Sequence, residues 1–289
     1  MKSTYILIIY LILFSCCGSK VKGYGHKDHV KPKNDLGESG LIGNVKSYTE
    51  LEYEMNENGG TKFFDSFAGE FNRNGFFIEE SHGGLFTEKR LYKYDQKGNV
   101  VEVRVYGSDG RIQRIDSTFY GSNQKEIKKV RYDKNNKQES EFVPVYDAQG
   151  KEVKLNTYVN GSLKFVDIIF EDGNENSRID STFDNGGALL KVTTESYNPI
   201  ENEYIHDTFR PNKMSHFELV DKLDDHDLII ESYSLLNNPA FRNNPQNNVP
   251  DNKSTYTYEN YDNAGNWLVK KTYEDGKLKY ESKRTISYY

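Results

Sequence analysis

Few residues in this chain stand at spacings that could do chemistry. His26, Asp28 and His29 could offer a metal two imidazoles and a carboxylate, but they fall in a polar stretch without periodicity, where no rigid ligand set is expected. His206, His216 and His226 are ten apart. On strands that spacing brings no two together locally, so satisfied surface or interstrand histidines are the expectation. Asp172-Gly173-Asn174-Glu175-Asn176 opens like a calcium loop, yet it lacks Gly at the sixth position and Glu at the twelfth, where Phe183 stands, and it reads as a turn. Asp116-Ser117 and Asp180-Ser181 have no histidine nearby to act as base. The chain's 44 acidic residues could supply a glycosidase pair, but sequence alone places no two at the needed separation. The expectation is a protein that is not an enzyme and carries no metal and no cofactor.

The elements that position these residues are legible in a rhythm. Aromatic residues return every 12 to 14 positions, at Tyr94, Tyr106, Phe119, Tyr132, Tyr146, Tyr158, Phe170, Phe183 and Tyr197, each beside a turn signal. Tyr94-Asp95-x-x-Gly98, Tyr146-Asp147-x-x-Gly150 and Tyr261-Asp262-x-x-Gly265 share one grammar. Asp can bond the turn's free amides, and Gly three residues later accepts a left-handed backbone. Twelve residues after each Tyr comes a second aromatic with Asp-Gly or Asn-Gly close behind, the strongest short hairpin signal. Turns at this spacing leave roughly 8 residues per strand, about 26 Å. Parallel crossovers do not fit. The predicted fold is therefore all-β: an antiparallel meander forming one large twisted or curved sheet, open or half-closed. Long Asp-x-x-Gly turns are expected on one rim and short turns mainly on the other, with Tyr94 and Tyr146 on the same rim. Arg114-Ile115-Asp116-Ser117-Thr118-Phe119 recurs letter for letter at 178–183, which marks internal duplication.

Tyr92-Lys93-Tyr94-Asp95-Gln96-Lys97-Gly98-Asn99 resembles the YD repeat of Rhs-like bacterial proteins, and Tyr261-Asp262-Asn263-Ala264-Gly265-Asn266 is similar. The resemblance implies an extracytoplasmic array of β-hairpins. The chain is also similar to small β-repeat lipoproteins of Gram-negative bacteria, most of them without assigned function.

The N-terminus agrees with that compartment. Lys2, an apolar run from Tyr5 to Phe14 and Ser15 read as a signal peptide over 1–15, too short for a membrane span. Leu13-Phe14-Ser15-Cys16 resembles a bacterial lipobox, which implies that Cys16 carries lipid. Residues 16–40 read as a flexible, polar tether and 41–289 as the repeat domain, interrupted by an Asn/Pro loop near 237–252. Cys16 and Cys17 are the only cysteines, so no disulfide staples the domain. The expected location is the cell envelope, with the chain lipid-anchored to the outer membrane.

Composition narrows the rest. Hydrophobic residues make up 35%, below the roughly 45–50% of ordinary domains on a near-equivalent set, yet the chain has 22 Tyr and 16 Phe. A sheet with both faces partly wet reconciles the two, because a tyrosine ring packs across strands while its hydroxyl stays hydrated. Too few strands carry the sustained apolar face of an outer-membrane barrel. A net charge of −6 with interleaved signs offers no basic stripe for nucleic acid. Two functions follow as expectations. The first is a binding or structural envelope module for a protein or glycan, using exposed Tyr and Trp267 or an open sheet edge. The second is a carrier or chaperone for an apolar ligand in a curved-sheet cavity.

Overall fold

The computed structural model describes residues 34–56, 58–84, 87–171, 177–211, 215–237 and 252–289. The signal peptide at 1–15, Cys16, the tether up to residue 33, the stretch 172–176 and the loop at 238–251 lie outside them. The described residues form one helical turn, α1 (Asp35–Glu38), and eighteen strands. The first nine are β1 (Val45–Met55), β2 (Thr61–Phe71), β3 (Phe77–His82), β4 (Glu88–Tyr94), β5 (Val100–Gly107), β6 (Ile112–Tyr120), β7 (Glu126–Asp133), β8 (Gln138–Tyr146) and β9 (Glu152–Val159). The others are β10 (Ser162–Glu171), β11 (Ser177–Asp184), β12 (Leu189–Asn198), β13 (Glu203–Arg210), β14 (Ser215–Leu223), β15 (Ile229–Asn237), β16 (Asn252–Tyr261), β17 (Trp267–Glu274) and β18 (Lys277–Tyr288).

Every strand pairs antiparallel with its neighbours in sequence, and β18 pairs with β1. The meander is as expected, but an open or half-closed sheet is not: the ring is a complete barrel. The seam joins two long strands, β1 with 11 residues and β18 with 12, paired from Val45–Tyr288 to Glu54–Tyr280 with one irregularity between Val45 and Ser47. Closure gives partners to two rows of amides and carbonyls that an open sheet leaves bare. It also removes the edge that strand capture would need.

The turns explain the regularity. In Asp95–Asn99 the Gly98 amide donates to the Asp95 carbonyl (3.2 Å) and the Asp95 amide to the Asn99 carbonyl (2.9 Å), with Gly98 at φ +86°. This is a type I turn closed by a left-handed residue and a bulge. The same pattern recurs at 147–151, 224–228 and 262–266 on the rim where even-numbered strands end. It recurs on the opposite rim too, at 107–111, 133–137 and 184–188. Among the described turns there, the expectation of short turns holds at Asn160-Gly161 and Asp275-Gly276, whose positive φ angles (49°, 76° and 50°, 74°) fit two-residue type I′ turns. Gly107–Arg111 was expected to be short as well. It takes the five-residue form because the Gly107 carbonyl receives the Gly110 amide and the Gly107 amide reaches Arg111.

Residues 34–40, the end of the expected tether, are folded. Asn34 caps α1 by accepting from the Gly37 amide, and its side chain donates to the Asn74 carbonyl (2.9 Å). Asp35 accepts the Phe77 amide (2.9 Å), and the Leu36 amide donates to Gly75 (2.9 Å). Leu36 and Leu41 pack with Val45, Phe71 and Phe77, flanked by Tyr48, Tyr92 and Ile286. This cluster sits at the rim where β1 begins. Elsewhere most strand side chains are only half-buried, so the ring is not filled by a packed core. Eighteen strands at about 4.8 Å give a circumference near 86 Å, a size at which barrels enclose space.

Candidate functional site

The barrel's concave face is identified by its ion pairs. Glu50 on β1 meets Lys270 on β17 at 3.6 Å although β18 lies between them. Side chains of next-but-one strands converge only on the inside of a curved sheet. Ladder partners share a face, and successive residues alternate. Carried around the ring, this register sets Glu50, Thr118, Thr193, Thr208, Asp221, Ser234, Thr272 and Ser282 on the concave side, and all are buried. Phe119, Val145, Ile168, Phe170 and Phe209, on the other side, are exposed. Buried polar groups line the inside, together with Val105, Ile169 and Trp267, while the outside exposes many apolar groups and buries Val130 and Val220.

The densest part of the concave wall runs from β16 through β1 to β4. The Arg284 Nε donates to Glu50 Oε2 (2.8 Å), and both side chains are 10% exposed. The Arg284 guanidinium lies 3.5 Å from the Trp267 ring centre, and Tyr258 packs on the indole (5.5 Å). A desolvated cation over an indole face is worth about 2 kcal/mol. Burial pushes the Glu50 carboxyl up, but Lys270 and Arg284 outweigh it and hold the group ionised, below the usual range. Glu52, the next residue on this face, goes the other way: burial and the neighbouring Glu50 and Asp65 raise it, against Lys270 and the Ser282 hydroxyl, which donates to it at 3.2 Å. Asp65, its direct ladder partner, is also raised by burial.

On β3 and β4, Glu80 accepts from Tyr92 Oη (2.7 Å) and Arg90 Nη1 (3.3 Å), with His82 Nε2 at 3.4 Å. Burial opposes ionisation there, but these donors prevail and bring the carboxyl down to about 2. Tyr92 is pushed far up by burial and by that carboxylate, so it stays a proton donor. The duplicated hexapeptide supplies two more clusters. Arg131 forks onto Asp116 (2.8 and 3.3 Å) with Arg114 at 3.3 Å, and Arg178 grips Asp180 (3.1 Å) and Glu171 (3.3 Å). In both copies Arg, Asp and Thr face inward while Ile, Ser and Phe face outward. The clusters are wall braces, charge against charge.

The expected turn residues are at the bends. Asp95, Asp147 and Asp262 each accept two turn amides at 2.8–3.0 Å, and Gly98, Gly150 and Gly265 have φ of 82–92°. Tyr94, Tyr146 and Tyr261 each end a strand. Trp267 is corrected: expected as an exposed stacking ring, it is 5% exposed, enclosed by Arg284 and Tyr258. His206 pairs with Glu195 (3.7 Å) and His226 sits in the turn after β14, so they form no common site. Among the described residues no three His, Cys, Asp or Glu side chains cluster to hold a metal. Two features escaped the sequence. Asn266 clamps the N-terminal segment, accepting the Ile42 amide (2.7 Å) and donating to the Ile42 carbonyl (2.9 Å). Tyr hydroxyls of even-numbered strands cap the first carbonyl of the preceding strand: Tyr94 to Phe77 (2.6 Å), Tyr120 to Val100 (3.0 Å), Tyr146 to Glu126 (2.9 Å) and Tyr258 to Ile229 (2.9 Å).

No family model and no curated protein matches the chain. Solved structures with some likeness include a porin-like protein from Bacteroides uniformis, with 9% identity and a TM-score of 0.44 over 85% of this chain and 98% of the other. The Photorhabdus luminescens Tc holotoxin pore shares 11% identity at a TM-score of 0.37, over 78% of this chain and 13% of the toxin chain. A Bacteroides fragilis protein of unknown function shares 13% identity at 0.28, over 51% of this chain and 94% of that one. At these scores the likenesses carry no argument about function.

Proposed function

We propose that this chain is a non-enzymatic module of the cell envelope, a YD-repeat-like barrel tethered by lipid on Cys16 that binds a protein or glycan partner or serves as structure. The observation that supports this most is the state of the concave wall. Several of its carboxylates and guanidiniums are spent on one another: Glu50 on Arg284 and Lys270, Glu80 on Arg90 and Tyr92, Asp116 on Arg131. Groups paired in this way stiffen the wall and are not free to act as bases. The convex wall supports a place outside hydrocarbon. Lys271–Glu259 (2.9 Å), Lys253–Glu231 (2.8 Å), Lys89–Glu79 (2.7 Å) and Arg104–Glu102 (2.8 Å) would each bring charge to lipid, at about 2–4 kcal/mol per cation at mid-bilayer. The charge on the concave wall disfavours an apolar cargo, so failure to take up a fluorescent fatty acid is expected. Metabolic labelling with an alkynyl palmitate tests the anchor: label on the wild-type chain and none on Cys16→Ser is the expected result. Equal labelling of both, or of neither, rejects the lipoprotein reading. Recovery of one envelope protein or glycan with the anchored chain supports the binding role.

A further inference from the structure

The two rims of the barrel differ in what they show to solvent. Ile42, just before β1, is 56% exposed, and Ile200, in the turn between β12 and β13, is 89% exposed. Both stand on the rim where even-numbered strands end. Tyr261 at the end of β16, and Tyr288 and Tyr289 at the end of β18, are exposed on the same rim. Among the described residues, no turn of the opposite rim exposes a large apolar side chain. Two of the tyrosines are pinned. The Tyr288 hydroxyl accepts from Asn266 Nδ2 (2.8 Å) and donates to Asp262, and the Tyr289 hydroxyl donates to the Phe71 carbonyl. The Arg73 guanidinium lies 4.8 Å from the Tyr289 ring centre. These hydroxyls are satisfied within the protein, so a partner meets the rings.

Resting on the lipid-anchored reading, we propose that this rim lies against a lipid surface, the leaflet that holds the chain's own anchor, with Ile42, Ile200 and the tyrosines in its headgroup layer. Connectivity, shape and chemistry choose that partner. The described chain begins at this rim, where Asn34 donates to the Asn74 carbonyl (2.9 Å) in the β2–β3 turn, next to Arg73. Residues 17–33 are all that separate Asn34 from Cys16, a reach of at most about 60 Å. The other rim stands about 26 Å farther off. Ile42 and Ile200 belong to separate turns of one ring, so a flat surface meets both at once. Tyrosine rings favour the boundary between headgroups and water. Exposed charges on this rim come in both signs, as Arg73 and Lys97 against Glu201 and Asp225. The attraction is therefore apolar, and the charged convex wall stays in water.

Fluorescence quenching by brominated phosphatidylcholine tests it on the full chain, extracted with its anchor and reconstituted into phosphatidylcholine vesicles. Every sample carries Cys17→Ser, so that one added cysteine takes an NBD fluorophore. Asn263→Cys places the label in the exposed β16–β17 turn of this rim, and Asn185→Cys in the exposed β11–β12 turn of the other. The label at 263 is expected to be quenched severalfold more than the label at 185. The double change Ile42→Glu/Ile200→Glu, at two exposed side chains, is expected to bring quenching at 263 down to the level at 185. If that variant loses its β-type circular dichroism, Ile200→Glu alone takes its place. A chain that fails to float with the vesicles overturns the anchor and the rim contact together. A chain that floats but is quenched alike at both rims, or whose quenching at 263 is indifferent to the glutamates, overturns the rim contact and leaves the anchor standing.

Discussion

Glu80 keeps its charge against burial because three donors surround it, and that makes it the acid-sensitive point of the wall. Its carboxyl titrates at about 2 in the fold against an ordinary 4.5, so the folded state holds fewer protons than the unfolded one between those values. The stability this supplies, about 3 kcal/mol, is fully present above pH 4.5 and is lost as pH falls through that window. Glu80→Gln is expected to lower stability at pH 7 by about that amount and to flatten the fall between pH 4.5 and 2 in urea unfolding. An unchanged acid limb would assign the sensitivity elsewhere. Glu52 has the opposite sign. Its carboxyl is raised, so the fold favours its protonated form, and that contribution is lost as pH rises through the folded value. Glu52→Gln is therefore expected to leave stability at pH 7 the same or higher. Arg284 is the costly residue to remove: Arg284→Leu strands the Glu50 carboxylate beside Lys270 alone and uncovers Trp267. A loss of about 3–5 kcal/mol is expected, and the double change Glu50→Leu/Arg284→Leu should cost less than Arg284→Leu alone. A double variant weaker than the single would show that the pair itself, and not the orphaned charge, carries the energy.

At the scale of the element, the returning aromatic is a clasp. The hairpins β2–β3, β4–β5, β6–β7 and β8–β9 slip their ladders by one residue beside the aromatic, as at Lys93/Tyr94, Phe119/Tyr120 and Val145/Tyr146. The tyrosine hydroxyl then takes the carbonyl that opens the preceding strand, bonding one hairpin to the next. Tyr120→Phe and Tyr146→Phe each remove one such bond and leave the ring packing, so each is expected to cost about 1 kcal/mol. For a chain of this size that is about 2–4 °C in thermal midpoint, and the double variant is expected to depart from additivity because Tyr146 bonds Glu126, the ladder partner of Tyr120. Midpoints equal to wild type would make the hydroxyls solvent contacts and nothing more. The turn chemistry was legible in the residues themselves, since Asp95 and Gly98 act within five positions of each other. The clasp was not, because Val100 and Tyr120 are twenty apart and nothing local names a carbonyl as a partner. Trp267 was misjudged for a related reason. Alternation tells which residues share a face, but not which face is concave, and the Glu50–Lys270 contact that decides it joins residues at opposite ends of the chain. The charge clusters remained invisible likewise: Arg131 and Asp116 look like surface residues until the ladder sets them together.

For the whole molecule, the decisive contact is the one with the greatest separation in sequence. Repeating turns dictate a meander of any length and are silent on whether its last strand finds its first. Closure comes from β1 and β18 and from the seam they brace: Glu50 with Arg284 and Lys270, Glu52 with Ser282, and the Tyr289 amide on the Asn44 carbonyl (3.1 Å). Without it, β1 and β17 would become bare edges, and long unprotected edges pair with other chains. Ending the chain after Glu274 is thus expected to give aggregate, or soluble material without a cooperative unfolding transition. Loss of residues alone could do the same, so a permutant separates the two causes. The Tyr289 hydroxyl bonds the Phe71 carbonyl and Asn34 bonds Asn74, which puts both ends of the described chain at the β2–β3 turn. A short Gly-Ser linker from Tyr289 to Asn34, with new termini opened between Asn160 and Gly161, keeps all strand pairings and omits only the segment before Asn34. This permutant is expected to unfold cooperatively, within about 1–2 kcal/mol of wild type, because the cut falls in an exposed two-residue turn whose flanking strands stay paired on their other sides. If it aggregates like the truncated chain, the order in which strands emerge, and not the closed ring, is what the fold requires.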